Sequence, residues 1–137
     1  MAITTRIPDS EEFREICHFI KEFELDGREL KAEEFIAAFK GEKLCGFGRI
    51  REHEDCSELC SLGVLEKFRL QGIGKAIVQE LIKKASKQLY LVCIIPEFFL
   101  PYGFQKANNF PPSIQSKTDF CRHHLAVPET YVAMLKK

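Results

Sequence analysis

The stretch Arg69-Leu70-Gln71-Gly72-Ile73-Gly74-Lys75-Ala76 constrains this chain more than any other part of it. It follows an apolar run, Leu59 to Leu65, and opens a helical pattern that reaches about Lys87. A strand, a glycine-bearing turn and a helix start in that order make an anion site. The first amides of a helix have no partners inside it, and the helix dipole adds partial positive charge at the same end. Gly72 and Gly74 carry no Cβ, so a phosphate can approach the backbone closely. Two common glycine-rich signatures do not fit. The nucleoside-triphosphatase loop needs a Ser or Thr after Gly-Lys, where this chain has Ala76, and the dinucleotide fingerprint needs a third glycine, where it has Ile77.

What remains is Arg-x-x-Gly-x-Gly after a strand. This resembles the acyl-CoA pyrophosphate loop of the GCN5-related N-acetyltransferase (GNAT) superfamily. The likeness extends along the chain. Lys43–Ile50 looks like that family's third strand and Glu58–Val64 like its fourth. Pro96–Phe104 looks like its late helix ending in Gly-Phe, here Gly103-Phe104. The resemblance covers about Ile3 to Leu135, and the tail from Pro111, with Cys121 and Tyr-Val-Ala-Met, is loosely similar to the branch near the N-acetylglutamate synthases. It implies an α/β (α+β) acetyltransferase fold, a mixed and mostly antiparallel sheet flanked by helices, as a single domain over residues 1–137.

Composition agrees with one folded domain. A chain of 137 residues, 45% hydrophobic, can bury one core. Lys+Arg and Asp+Glu balance at 20 each, so no basic excess points to nucleic acid. Lys83, Lys84 and Lys87 read as the solvated face of a helix. No apolar run approaches the roughly 20 residues that span a bilayer. The start of the chain lacks a signal-peptide core. A cytoplasmic protein with reduced cysteines is therefore expected. Cys45 and Cys93 lie in apolar runs as small hydrophobes. Cys56, Cys60 and Cys121 with His123 and His124 supply soft ligands, but without the paired spacing of structural zinc sites, so no metal is expected.

The periodicity predicts a short strand over Ala2–Arg6 and a helix that starts at Pro8-Asp9-Ser10 and ends at Asp26-Gly27. Its apolar face is Phe13, Ile16, Cys17, Ile20 and Phe23, with His18 beside it. Ala32–Phe39 has helical composition, but the following Lys40-Gly41-Glu42 turn favours a strand from about Glu34 into a hairpin. Strands follow at Leu44–Ile50, Glu58–Leu65 and Leu89–Ile95, with a polar connection over Glu52–Ser57. A short helix covers about Glu97–Pro101. Pro111-Pro112 argues against helix there. The 105–128 tail then reads as loop, and Thr130–Leu135 as a last strand.

An acetyltransferase of this type needs a bound donor, a deprotonated amine and a proton for the departing thiolate. The resemblance gives the acetyl-CoA site to the backbone of Gln71, Gly72, Ile73, Gly74, Lys75 and Ala76, with Arg69 adding charge. Leu62, Gly63 and Val64 would pair with the pantetheine and polarise the thioester carbonyl. Gly63 is equally readable as a strand bulge, and Arg69 as a surface arginine. Glu58, a charge at the start of an apolar strand, is the candidate base, its pKa raised by partial burial. His53, Glu54 and Asp55 are loop alternatives. Many members carry a tyrosine where this chain has Phe99, and Tyr102 is the candidate replacement as thiolate acid. Without it, the thiolate leaves unaided, its pKa being roughly 8.5. Arg49 or Arg51 could meet a carboxylate-bearing substrate.

The expected activity is direct transfer of acetyl from acetyl-CoA to a primary amine of a small molecule, an amino acid among the options. The partners are these two small molecules, with neither nucleic acid nor membrane, and a homodimer is an option because dimers are common in the family. Two alternatives stay open: an acyl-CoA-binding or sensor module with little catalysis, and a zinc or redox-responsive interaction protein. Acceptor choice falls to Asp26–Glu34, the loop around His53 and the 105–128 tail.

Overall fold

The structure, a computed structural model, describes residues 2–124 and 131–137. Its elements run β1 (Ile3–Arg6), α1 (Ser10–Glu22), β2 (Phe35–Lys40), β3 (Lys43–Glu52), β4 (Ser57–Val64), α2 (Ile73–Lys84), β5 (Leu89–Cys93), α3 (Pro96–Phe99), β6 (Phe104–Lys106), α4 (Pro112–His124) and β7 (Val132–Lys136). The strands form a seven-stranded sheet in the order β1-β2-β3-β4-β5-β7-β6. Pairing is antiparallel for β1/β2, β2/β3, β5/β7 and β6/β7, and parallel for β4/β5. This is the mixed, mostly antiparallel α/β arrangement expected. The chain divides into two compact units, Met1–Ile50 with Ser61–Lys84, and Arg51–Cys60 with Ala85–Lys137.

In the first unit, α1 starts on a capping box. Asp9 Oδ1 accepts from the Glu12 amide at 2.9 Å, and Glu12 Oε1 accepts from the Asp9 amide at 2.9 Å. Arg6 adds two bonds to the same Glu12 carboxylate, at 2.6 and 2.7 Å. The helix ends earlier than Asp26-Gly27. Glu24 takes the left-handed conformation, φ 56°, and the Leu25 amide reaches back to Ile20 O at 2.9 Å. That closure satisfies the last carbonyls without glycine. Ile16 and Ile20 pack on Phe35, Ala37, Phe39, Leu44 and Phe47 as one core. From α2, Ile73, Ile77, Val78 and Leu81 are buried. Gly46 on β3 permits that packing: a Cβ there would stand 2.9 Å from Ile77 Cδ1 and 2.9 Å from Gly63 O. The segment Ala32–Glu34 is a 3₁₀ turn, and β2 begins at Phe35, close to the expected start. The helix after Gly72 ends at Lys84 rather than about Lys87.

In the second unit, β5 pairs with the first residues of β4, Ser57↔Leu89 through Leu59↔Leu91. It stops at Cys93, and Pro96 opens α3, where its missing N–H costs nothing. Cys56, Ile114 and Ala133 form the core with Tyr90, Val92, Ala107 and Phe110 around them. Here the sequence reading needs correction. Pro112 does not exclude helix: it is the first residue of α4, a position proline tolerates well. The Asp55 carboxylate accepts from the Ser113 amide at 3.1 Å, a cap from outside the helix. The strand β6 was likewise unforeseen. Residues 125–128 of the expected loop and Thr130 of the expected last strand lie outside the described residues.

Candidate active site

The first unit carries the glycine loop. After β4 the chain makes a 3₁₀ turn over Glu66–Phe68, passes Arg69, and places Leu70 at φ 64° and Gly72 at φ 81° before α2 begins. Leu70 is fully exposed. A left-handed leucine in the open is strained and makes no compensating contact of burial, a pattern found at functional loops. Around Gly72 there is open space: among the described residues, chain neighbours aside, no heavy atom lies within 4 Å of where a Cβ would be. The Ala76 amide bonds Gly72 O at 3.1 Å, so it is the first amide spent inside α2. That removes Ala76 from the set of expected anion donors. The helix-start amides of Ile73, Gly74 and Lys75 precede that first bond, and glycine at the cap position offers them no side-chain oxygen.

Arg69 is engaged within its own unit. Its Nε donates to Val64 O at 3.0 Å, and its guanidinium sits 5.6 Å from the Phe23 ring centre. The Val64 carbonyl, expected to meet pantetheine, is thus occupied by Arg69. Lys40 Nζ bonds Gln71 Oε1, which places a further cation at the loop. Gly63 has a packing reason of its own: a Cβ would stand 2.7 Å from Phe47 Cζ. Two residues before it, Ser61 is in the left-handed region at φ 55°, an irregularity in the middle of β4 that leaves Leu62, Gly63 and Val64 half-buried.

Ser61 is held by Arg49. This arginine was a candidate to meet a substrate carboxylate; it is fully buried instead. Its Nε donates to Ser61 Oγ at 3.0 Å, and its other nitrogens to Arg28 O at 3.0 Å, Asp26 O at 3.2 Å and Glu29 O at 3.4 Å. Glu34 pairs with it at 3.2 Å. Ser61 Oγ donates in turn to Asp26 O at 2.7 Å. The guanidinium therefore pins the Asp26–Glu34 segment from beneath.

The second unit carries Glu58. It was read as partly buried with a raised pKa. It is completely buried, and its carboxyl is held below the usual range. Burial alone would raise it; the Lys117 ammonium and the hydrogen bond from His53 outweigh that. Lys117 Nζ of α4 stands 3.2 Å from Oε2, and His53 Nε2 stands 2.7 Å from Oε1. His53 belongs to the turn between β3 and β4, closed by its amide on Cys56 O at 2.8 Å, and its side chain is 19% exposed. Lys117 was missed because α4 was missed. Its signal was available: Ile114, Lys117, Thr118 and Cys121 recur at helical spacing and are all buried. A lysine inside an apolar stripe asks for a buried anion.

Tyr102 lies in the 3₁₀ turn Leu100–Tyr102, half-buried, its ring 5.8 Å from that of Phe98. Burial pushes its phenol up, so it holds its proton. Phe99 is buried against Phe98 and Phe104, with ring centres 5.0 and 5.8 Å apart. All six cysteines are free thiols. Burial, with Asp55, Glu58 and Glu52 nearby, pushes Cys56 up to about 12, the reverse of what a thiolate ligand or nucleophile needs. Cys121 faces the core, whereas His123 and His124 are exposed on the last turn of α4, not in a loop. No helix among the described residues is long and apolar enough to cross a membrane.

Known proteins share this fold. The chain is similar to N-acetylglutamate synthase from Neisseria gonorrhoeae, solved with coenzyme A and N-acetyl-glutamate, at 17% identity and a TM-score of 0.79 over 99% of this chain. It spans about a third of that protein's length, 35%. It is similar to Rv2747 of Mycobacterium tuberculosis, solved in complex with CoA, at 18% identity and a TM-score of 0.75, covering 97% of this chain and 98% of the other. The ribosomal-protein-S18-alanine N-acetyltransferase of Escherichia coli matches at 14% identity and a TM-score of 0.64, over 98% and 93%. At such identities the likeness is one of fold. The sequence pattern of the acetyltransferase (GNAT) family matches residues 3–97, more than half of the chain and both glycine loop and Glu58 within it, and the chain belongs to that family.

Proposed function

We propose that residues 1–137 act as one catalytic domain that transfers the acetyl group of acetyl-CoA to a primary amine of a small molecule. The observation that carries this reading is the uncapped start of α2 behind a left-handed Gly72, in a chain of the acetyltransferase family. The open space at Gly72 suits a pyrophosphate, and the amides of Ile73, Gly74 and Lys75, with Gln71 and Lys40 beside them, suit its charge. Arg69 supplies a further cation to the donor once it leaves Val64 O, and the Leu62–Val64 backbone then polarises the thioester carbonyl. An amino acid acceptor is favoured by the similar protein solved with N-acetyl-glutamate.

The reaction is direct attack. The ammonium of the acceptor gives up one proton to the Glu58–His53 pair, and the free amine attacks the carbonyl carbon. The C–N bond forms, the C–S bond breaks, and the second amine proton returns to the thiolate, with Tyr102 as its carrier. A neutral amine is essential, because an ammonium has no lone pair to attack with. The test is steady-state release of free CoA across a panel of amino acids and other primary amines. Turnover with at least one amine supports the enzyme. Tight acetyl-CoA binding with no CoA release from any amine points instead to an acyl-CoA-binding module, the reading favoured by a buried Phe99 in place of tyrosine.

A further inference from the structure

We propose that His53 is the group that takes the proton from the acceptor amine, and that Glu58 is a positioning residue clamped between His53 and Lys117. This rests on the acetyltransferase reading above and divides the labour within its proton-accepting pair. The argument is geometric. Glu58 is 0% exposed, and each of its oxygens faces a cation or donor of the protein, Oε1 at 2.7 Å from His53 Nε2 and Oε2 at 3.2 Å from Lys117 Nζ. A substrate ammonium would have to compete with these partners for a carboxylate that no solvent reaches. Of the three residues, Lys117 is also buried, its side chain 5% exposed, and His53 is the most accessible, at 19%.

The chemistry points the same way. Lys117 neutralises a buried anion and so keeps Glu58 ionised. An ionised carboxylate only accepts hydrogen bonds. The ring nitrogen facing it, Nε2, must therefore carry a hydrogen, which leaves Nδ1 as the lone pair of the neutral ring. A carboxylate that fixes an imidazole tautomer and steadies the imidazolium is a recurrent catalytic unit on unrelated folds. The balance is simple. The ammonium proton passes to His53 Nδ1, the imidazolium is stabilised by Glu58, and the same proton leaves to solvent from Nδ1 after the product departs. Glu58 neither gains nor loses a proton in the cycle.

Two measurements on the full chain test this. The first is ¹⁵N NMR of the histidine ring nitrogens, with His53 assigned by its loss in His53→Gln. The expected result is a neutral ring that carries its hydrogen on Nε2 and its lone pair on Nδ1, and a mixture of tautomers in Glu58→Gln. The opposite tautomer, or a spectrum indifferent to Glu58→Gln, overturns the proposal whether or not an amine substrate is in hand. The second is turnover. His53→Ala should lower kcat by about a hundredfold or more, keep acetyl-CoA affinity within about twofold, and recover at least about tenfold on adding imidazole. A purely structural role of His53 would not respond to imidazole. His53→Ala with kcat within about threefold of the parent, or with no rescue, sinks the assignment. A parent protein that binds acetyl-CoA but turns over no amine refutes the acetyltransferase reading instead, and the tautomer result then still decides the roles of His53 and Glu58.

Discussion

Lys117→Met is the most informative single substitution in this molecule. It removes one cation from a carboxylate that is fully buried, and it leaves the methylene stem's volume nearly intact. Breaking a buried ion pair from one side costs about 3–5 kcal/mol, because the remaining charge keeps its desolvation penalty. Glu58 retains the 2.7 Å bond from His53, so the lower end, about 3 kcal/mol, is the fitting estimate. Unfolding entropy of about 2.1 cal/mol/K per residue gives roughly 0.29 kcal/mol/K for this chain. The Tm should then fall by about 10 °C. Glu58→Gln/Lys117→Met, which removes both charges, should recover about half of that loss. Thermal denaturation followed by circular dichroism at neutral pH reads both. A shift under about 3 °C in the single variant, or a double variant no more stable than the single, would refute the reasoning. The acid limb gives a second check. Glu58 has a folded pKa below its ordinary 4.5, so its contribution is full above 4.5 and is lost as pH falls through the folded value. In Lys117→Met, burial is opposed by His53 alone, and the carboxyl regains part of its upward push. The Tm gap between variant and parent should accordingly narrow below pH 4.5, where protonation relieves the buried charge.

Two further outcomes follow from the first unit. Gly72→Ala puts a Cβ at φ 81° into open space, so stability should fall by only about 1 kcal/mol, while acetyl-CoA affinity by calorimetry should drop about tenfold; unchanged affinity would remove Gly72 from the donor site. Arg49→Met strips hydrogen bonds from Asp26 O, Arg28 O and Glu29 O, all donated by one buried guanidinium, and should cost about 3 kcal/mol in urea denaturation, with Arg49→Lys no better than half restored, since an ammonium cannot span the same carbonyls.

Much of this molecule is written in local sequence. Asp9 and Glu12 announce the start of α1 because a capping box needs only residues three apart. Gly72 before Ile73 announces α2, and β4 before it is a run of apolar residues. Such signals act within a turn or two of chain, where backbone sterics and unpaired amides are the deciding terms. The errors are also instructive. Pro111-Pro112 argues locally against helix, although proline obstructs a helix only beyond its first turn. The deciding fact, an Asp55 carboxylate capping Ser113, comes from a distant stretch of the chain. Losing α4 meant losing Lys117, and with it the reason that Glu58 is held low rather than raised.

The sequence by itself determined the family and the strand–turn–helix order around Gly72. Spacing, glycine and the order strand–turn–helix are enough to specify where unpaired amides face outward, since those amides belong to consecutive residues. Only the tertiary structure decided how charge is distributed around Glu58 and Arg49. The state of Glu58 depends on which cations the fold brings within about 3 Å of it, and the fate of Arg49 on which carbonyls close over it. Coulomb and desolvation energies are set by distance in space and by exclusion of water. Neither quantity exists until His53, Glu58 and Lys117 have been packed together.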